Sequence, residues 1–280
     1  MRILWQDVFP EVHPQIPDIY LVWDAIKEAA KKAVRPGTEV TLNHVDKFCG
    51  SPTFAYMEML NKTTMVDNVI KAERKGYDAA MMGCCGDPGL LEARQAVSIP
   101  VTAPSESAML LAQMLGCKFA FVTVGQEGIP ATEALIYAYG FADRAIKYRP
   151  VRYFECWDVM FECLKSGRPN KLIADFEKVA MECIDDGADI IIAGCAYLGA
   201  VFTKFGYNQV GDTGVPVIDP SAIALKLAET LADLQKNIGL RRSTSLTSIY
   251  SPAPMEMLDQ VREVFGFQKI SPISVQPDES

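Results

Sequence analysis

Lys75-Gly76-Tyr77-Asp78-Ala79-Ala80-Met81-Met82-Gly83-Cys84 and Asp186-Gly187-Ala188-Asp189-Ile190-Ile191-Ile192-Ala193-Gly194-Cys195 are two copies of one pattern. Each has a glycine that ends a helix, an aspartate two residues on, an apolar run and a closing Gly-Cys, with a glycine-to-cysteine spacing of 8 in both. A short apolar run entered from a helix and left through Gly-Cys reads as a buried parallel strand. The match continues downstream, where Ile99-Pro100-Val101-Thr102-Ala103-Pro104-Ser105 parallels Val215-Pro216-Val217-Ile218-Asp219-Pro220-Ser221, each ahead of an Ala-rich helix. Upstream, Arg2 to Gln6 resembles Phe119 to Thr123. The fold class is therefore α/β, with two pseudo-symmetric lobes, each a parallel sheet flanked by helices. Residues 1–114 with 221–280 form the first expected lobe and 115–220 the second, with the active site in the cleft between them.

The remaining elements fill in around this repeat. Helices are expected over Tyr20–Val34, Met65–Lys75, Leu90–Val97, Ser105–Leu115, Ile129–Tyr139, Lys171–Asp186 and Ser221–Lys236. Pro36-Gly37 stops the first, and Gly76, Gly116, Gly140 and Gly187 close others. Strands are expected over Glu39–Val45, Tyr77–Gly83, from Val101, and over Lys118–Val124, Asp189–Ala193 and Val215–Ile218. The aromatic and Met residues from Trp157 to Phe161 read as a helix face or lid. The tail after Asn237 reads as an added helix, Pro254 to Phe265, with a frayed end.

Composition excludes several classes. The 280 residues are 49% apolar and 22% charged, so the chain is neither disordered nor fibrous. Lys and Arg number 27 against 35 Asp and Glu, a net charge of −8, which disfavours a nucleic-acid partner. The longest apolar runs span a few residues, whereas a membrane-spanning helix needs about 20. With no secretory pattern at the N-terminus, a cytoplasmic location is expected. The eight cysteines, Cys49, Cys84, Cys85, Cys117, Cys156, Cys163, Cys183 and Cys195, include no C-x-x-C pair, and there are two histidines. Neither a disulfide framework nor a zinc site is indicated. Five of the thiols, at 49, 117, 156, 163 and 183, read as packing residues. Phe48 to Thr53 reads as a loop able to cover the cleft.

Ligands in open α/β sheets bind at the carboxyl ends of the strands. The repeat places Cys84 and Cys195 at two such ends, on opposite walls of one cleft. A thiolate is a strong base, and helix N-termini or nests of backbone N–H groups lower a thiol pKa. Two opposed thiols suit a reaction with no net change, in which one removes a proton from carbon and the other returns a proton to the opposite face. That is racemisation or epimerisation of a carbon acid beside a carbonyl. Backbone N–H groups after each cysteine, at Cys85, Gly86, Ala196 and Tyr197, are expected to hold the enolate. Gln6 and Thr123 occupy matching strand ends and are expected to contact substrate. Ser105 caps its helix or faces substrate. Asp87 reads as a helix cap, Glu106 as a partner of a helix dipole, and His44 as structural.

Gly83-Cys84-Cys85-Gly86-Asp87-Pro88-Gly89-Leu90 resembles the C-x-G-D-P-G-L motif of hydantoin racemases, and Gly194-Cys195-Ala196 is similar to their second G-C-A. The chain resembles the aspartate/glutamate/hydantoin racemase superfamily from about residue 1 to 236, closest to hydantoin racemases. The resemblance implies two-base catalysis by Cys84 and Cys195 without a cofactor, a small-molecule substrate and a homo-oligomer. Amino-acid racemases of the superfamily carry Cys-Asn-Thr at these turns. Here Cys84-Cys85-Gly86 and Cys195-Ala196-Tyr197 stand instead, which points away from free aspartate or glutamate and towards a cyclic amide such as a hydantoin or allantoin. The first strand in many relatives ends in Asn-Pro, whereas this one ends Trp5-Gln6-Asp7. Two other uses of the scaffold are a cis-trans isomerase, in which a Cys adds to a double bond, and a decarboxylase, which the second cysteine disfavours. A non-catalytic two-lobe binding protein is the third class.

No metal or organic cofactor is expected, because metal-ligand spacings and phosphate-cradling loops are missing from the sequence. Exhaustive chelation should leave turnover unchanged. Loss of activity restored by one specific metal would overturn this expectation.

Overall fold

The structure, a computed structural model, describes residues 1–48, 50–51 and 53–267. Cys49 therefore lies outside the described residues. In chain order the elements are β1 (Arg2–Gln6), α1 (Tyr20–Ala33), β2 (Glu39–Asn43), α2 (Ala55–Arg74), β3 (Ala79–Met82), α3 (Leu90–Ala96), β4 (Val101–Thr102) and α4 (Pro104–Leu115). The second half follows as β5 (Phe119–Val124), α5 (Ile129–Ala138), β6 (Val151–Phe154), α6 (Trp157–Ser166), α7 (Asn170–Asp185), β7 (Ile190–Ala193), α8 (Ala196–Phe205), β8 (Val217–Ile218), α9 (Pro220–Ile238) and α10 (Met255–Val264). They build two four-stranded sheets, ordered β2-β1-β3-β4 and β6-β5-β7-β8, with every pair parallel. The two orders are the same walk through successive strands, as the repeat requires.

The repeated residues have repeated jobs. Asp78 accepts a hydrogen bond from the Arg2 N–H at 2.6 Å, at the start of β1. Asp189 accepts from the Cys117 and Lys118 N–H groups at 2.9 and 2.7 Å, at the start of β5. In each lobe the aspartate thus fixes the register of the neighbouring central strand. The glycine before each cysteine is required by close approach. A Cβ on Gly83 would lie 2.1 Å from Trp5 Nε1, and one on Gly194 would lie 3.0 Å from Thr123 Cβ.

Side chains alternate between the faces of each strand. Ile3, Trp5, Ala79 and Met81 of the first sheet share one core with Ala120, Val122, Ile191 and Ala193 of the second, filled in by α1, α8 and α9. The opposite faces are covered separately, the first sheet by residues of α2 and α3. The second is covered by residues of α4 and α5. The two matching helices are exchanged. After β4 the chain runs into α4, which packs Ala108 and Met109 on Phe119, Phe121 and Ile190 of the second sheet. After β8 it runs into α9, which packs on β1, β3 and β4 of the first. The boundary expected at residues 114 and 115 thus falls at the end of a helix that serves the other sheet.

Some elements differ from expectation. Helix α2 starts at Ala55, ten residues before Met65, because its first turns expose Tyr56, Met57, Met59 and Leu60 and carry no one-sided apolar pattern. Strand β2 stops at Asn43, whose side chain turns to donate to Gln6. Strand β6 was not expected. It carries Arg152, buried and paired with Asp186 and Glu182, and a charge in a short strand masks its pattern. Helix α10 lies where the tail helix was expected, docked on α2 through Arg262 with Asp67 at 2.7 Å and Arg74 with Asp259 at 2.5 Å. Among the described residues, no helix is long and apolar enough to cross a membrane.

Gly83→Ala should destabilise the fold by about 1–3 kcal/mol, since the indole of Trp5 must move. Gly86→Ala, with nothing nearer than 3.8 Å to the added carbon, should cost much less in urea unfolding.

Candidate active site

The Gly-Cys turns deliver both cysteines to one cavity of about 170 Å³. A site of about 150 Å³ holds benzene, so this space suits one small ring. Besides Cys84 and Cys195, its walls include Cys85, Gly86, Thr123, Ala196 and Tyr197. Ser51 and Thr53, hydrogen-bonded to each other at 2.7 Å, close it from the loop before α2. Trp157 closes another side. A larger open groove of about 840 Å³ lies against Trp157 as well, but its lining holds no thiol. Both thiols of the Gly-Cys turns line the smaller site.

The two thiols sit in unlike settings. Cys195 directly precedes α8 as its N-cap residue, so the first N–H groups of the helix, those of Tyr197 and Leu198 among them, lie on the side of its sulfur. Burial raises its pKa, and these two donors oppose the rise. Cys84 precedes a five-residue turn rather than a helix, and its sulfur has one long contact, 3.5 Å from the Gly86 N–H. Burial pushes Cys84 up to about 12. Cys85 is more deeply buried and raised well above the ordinary thiol value, so Cys84 is the better placed of the adjacent pair. Helix N-termini favour anions, which makes Cys195 the better supported thiolate.

Asp87 lies at a positive φ of 47° and accepts from the Ser105 and Glu106 N–H groups at 2.9 and 2.8 Å. It therefore caps α4 from across the site. The matching helix α9 is capped by its own Asp219, from Ser221 and Ala222. Ala103 stands at the equivalent place in the first lobe and has no oxygen to offer. Glu106, also expected to serve the helix dipole, pairs with Arg94 at 2.5 Å. His44 follows β2, and its Nδ1 lies 3.2 Å from the Phe9 carbonyl oxygen.

Two expected contacts are corrected. Ser105 is fully buried outside the cavity, and its hydroxyl donates to the Cys85 carbonyl at 2.6 Å. It braces the Cys84 turn from behind. Gln6 is also fully buried outside the cavity, held between Asn43 and the Asp7 carbonyl. The pairing of β1 and β5 within their sheets explains the error. Gln6 lies opposite Met82, and Val122 lies opposite Ala193, each just before the Gly-Cys. The structural counterpart of Thr123 is therefore Asp7, one residue on from Gln6. A one-residue slip exchanges the faces of a strand.

Asp7 was not singled out from sequence, although an acid at the end of an apolar strand beside Cys84 was the available signal. It is fully buried, and its Oδ1 accepts from the Phe9 N–H at 2.9 Å and the Tyr197 hydroxyl at 2.7 Å. Its Oδ2 has no partner among the described residues. Burial pushes its pKa up to about 7, and its charge when ionised raises both thiols. Tyr197 is enclosed by Phe9, Trp23 and Trp157, with ring centroids 5.8, 5.5 and 6.2 Å away. Thr123 spends its hydroxyl on the Gly194 carbonyl at 3.0 Å, holding the Cys195 turn.

Both acceptor contacts of Asp7 use one oxygen, so Asn mimics the protonated acid closely. The folded protein keeps the Asp7 proton where the unfolded chain, near 3.8, has released it. Stability therefore falls as pH rises from about 4 to 7. Asp7→Asn should flatten that fall in urea titrations. It should also move the alkylation profile of the site thiols to lower pH.

The Asp/Glu/Hydantoin racemase family model matches residues 21–228. The hydantoin racemase of Pseudomonas sp. (strain NS671) is 32% identical over 213 residues, which cover 75% of this chain and 81% of that protein. The hydantoin racemase of Rhizobium meliloti is 27% identical over 196 residues, covering 69% and 74%. In fold, the chain is similar to the allantoin racemase from Klebsiella pneumoniae, with a TM-score of 0.69 at 21% identity over 91% of this chain and 94% of that one. The matched span includes both Gly-Cys turns and seven of the eight strands in full, and this chain belongs to the Asp/Glu/hydantoin racemase family of isomerases.

Proposed function

We propose that the protein inverts a carbon acid beside a carbonyl by 1,1-proton transfer between Cys84 and Cys195, on a small cyclic amide of hydantoin type. The observation that carries this reading is the pair of thiols at pseudo-equivalent strand ends, facing one cavity of ring size. In one direction the Cys195 thiolate takes the proton from carbon, and the C–H electron pair moves towards the carbonyl oxygen to form an enolate. The Cys84 thiol then gives its proton to the opposite face. The carbon is inverted, and the two sulfurs have exchanged protonation states. The reaction is redox-neutral, so the thiols alone balance it.

The backbone N–H groups of Cys85 and Ala196, each directly after a reacting cysteine, are the donors proposed for the enolate oxygen. Acid–base help of this kind is worth roughly 10²–10⁴ in rate per group. Among the described residues, the cavity lining contains no Lys, Arg or His. A diacid would enter without a countercharge, which disfavours both an amino-acid diacid and the cis-trans isomerase reading.

In deuterated water, Cys84→Ser should abolish racemisation yet still exchange the hand of substrate whose hydrogen faces Cys195. Cys195→Ser should exchange only the other hand, and Cys85→Ser should keep substantial turnover in both directions. Racemisation at the wild-type rate in either the Cys84 or the Cys195 variant defeats the two-base mechanism.

A further inference from the structure

We infer that Glu127 selects the arm carried by the substrate ring, favouring one that ends in a cation, such as an ammonium or guanidinium, over one that ends in a carboxylate. This rests on the cyclic-amide reading above and adds to it the chemistry of the substituent.

Three observations converge. First, among the described residues Glu127 is the one side chain of the acidic or basic classes in the cavity lining, where the remaining residues are apolar, small, hydroxyl-bearing or thiols. Second, its carboxylate has no hydrogen bond or ion pair among the described residues, unlike Asp7, Asp87 and Glu106 nearby, each of which is held. Third, the backbone leaves room for it. Gly125, at a φ of +79°, turns the chain out of β5 into the short helical turn Gln126–Gly128, and the Glu127 carboxylate folds back over it. Both carboxylate oxygens would lie 2.8 Å from a Cβ at position 125, so the missing side chain is what leaves them room.

The size of the site directs the arm. About 170 Å³ between the thiols takes a ring and little more. An arm of several atoms must leave towards the open side, and Glu127 is solvent-exposed while still lining the cavity. A carboxylate there would meet an unneutralised negative charge, whereas an ammonium would supply the missing partner. Because the charge is exposed, its effect is modest. The expected difference between oppositely charged arms is about tenfold in kcat/KM, reduced by salt.

Three hydantoins carrying a 4-aminobutyl, an isobutyl or a 2-carboxyethyl group at C5 would be compared in two ways. One readout is deuterium exchange at C5, and the other is protection of the site thiols from alkylation. The expected order by both readouts is aminobutyl, isobutyl, carboxyethyl. Glu127→Gln should compress the order, and Glu127→Lys should reverse it. An order unchanged in both variants overturns the role of Glu127, even if all three compounds exchange. Protection in the expected order without any exchange upholds Glu127 and instead defeats the racemase reading. No protection by any of the three at millimolar concentration overturns the inference.

Discussion

The placement of the two cleft thiols depends on a close approach of backbone to side chain, made twice. At Gly83 and Gly194 two strands approach so closely that a side chain would collide with Trp5 or Thr123. Each close approach turns the chain sharply at the carboxyl end of a central strand and presents the next residue, a cysteine, to the cleft. The aspartates at 78 and 189 hold the neighbouring strands in the register this requires. Replacing a thiol would leave this framework standing, whereas altering a glycine or its aspartate displaces the thiol without touching it.

Burial then governs the electrostatics. Asp7, Cys84, Cys85, Asp87, Cys195 and Asp219 are all raised in pKa by loss of water. With no cation among the described residues of the cavity lining, each negative charge there disfavours the next. Backbone N–H groups are the main local relief. Cys195 stands at the N-terminus of α8, whose N–H groups lower its pKa, and Cys84 has one long contact with the Gly86 N–H. Two lobes alike in strand order thus hold two thiols that are unlike in basicity.

Both thiols could be read from sequence because the Gly-Cys spacing is itself the steric requirement, written twice. The capping role of Asp87 was legible in kind, but its target was not, since the helix it caps begins 17 residues further on, at Pro104. Gln6 was misplaced and Asp7 overlooked for a single reason. The strands β1 and β5 are alike enough to align but differ by one residue in register, and sequence similarity alone does not reveal which alignment the sheet uses. Cavity walls supplied by Phe9, Thr132 and Trp157 come from loops and helix starts, whose convergence is a property of tertiary packing.

The exchange of α4 and α9 bears on how the molecule can move and fold. Each sheet is covered by the helix that follows the last strand of the other, and the two helices also pack on each other. Neither half possesses all its own covering, so neither is equipped to persist as an independent folding unit. Unfolding should be one cooperative event rather than two. The same interlacing restrains hinge-like parting of the lobes, because wide separation would strip α4 and α9 from the sheets they cover.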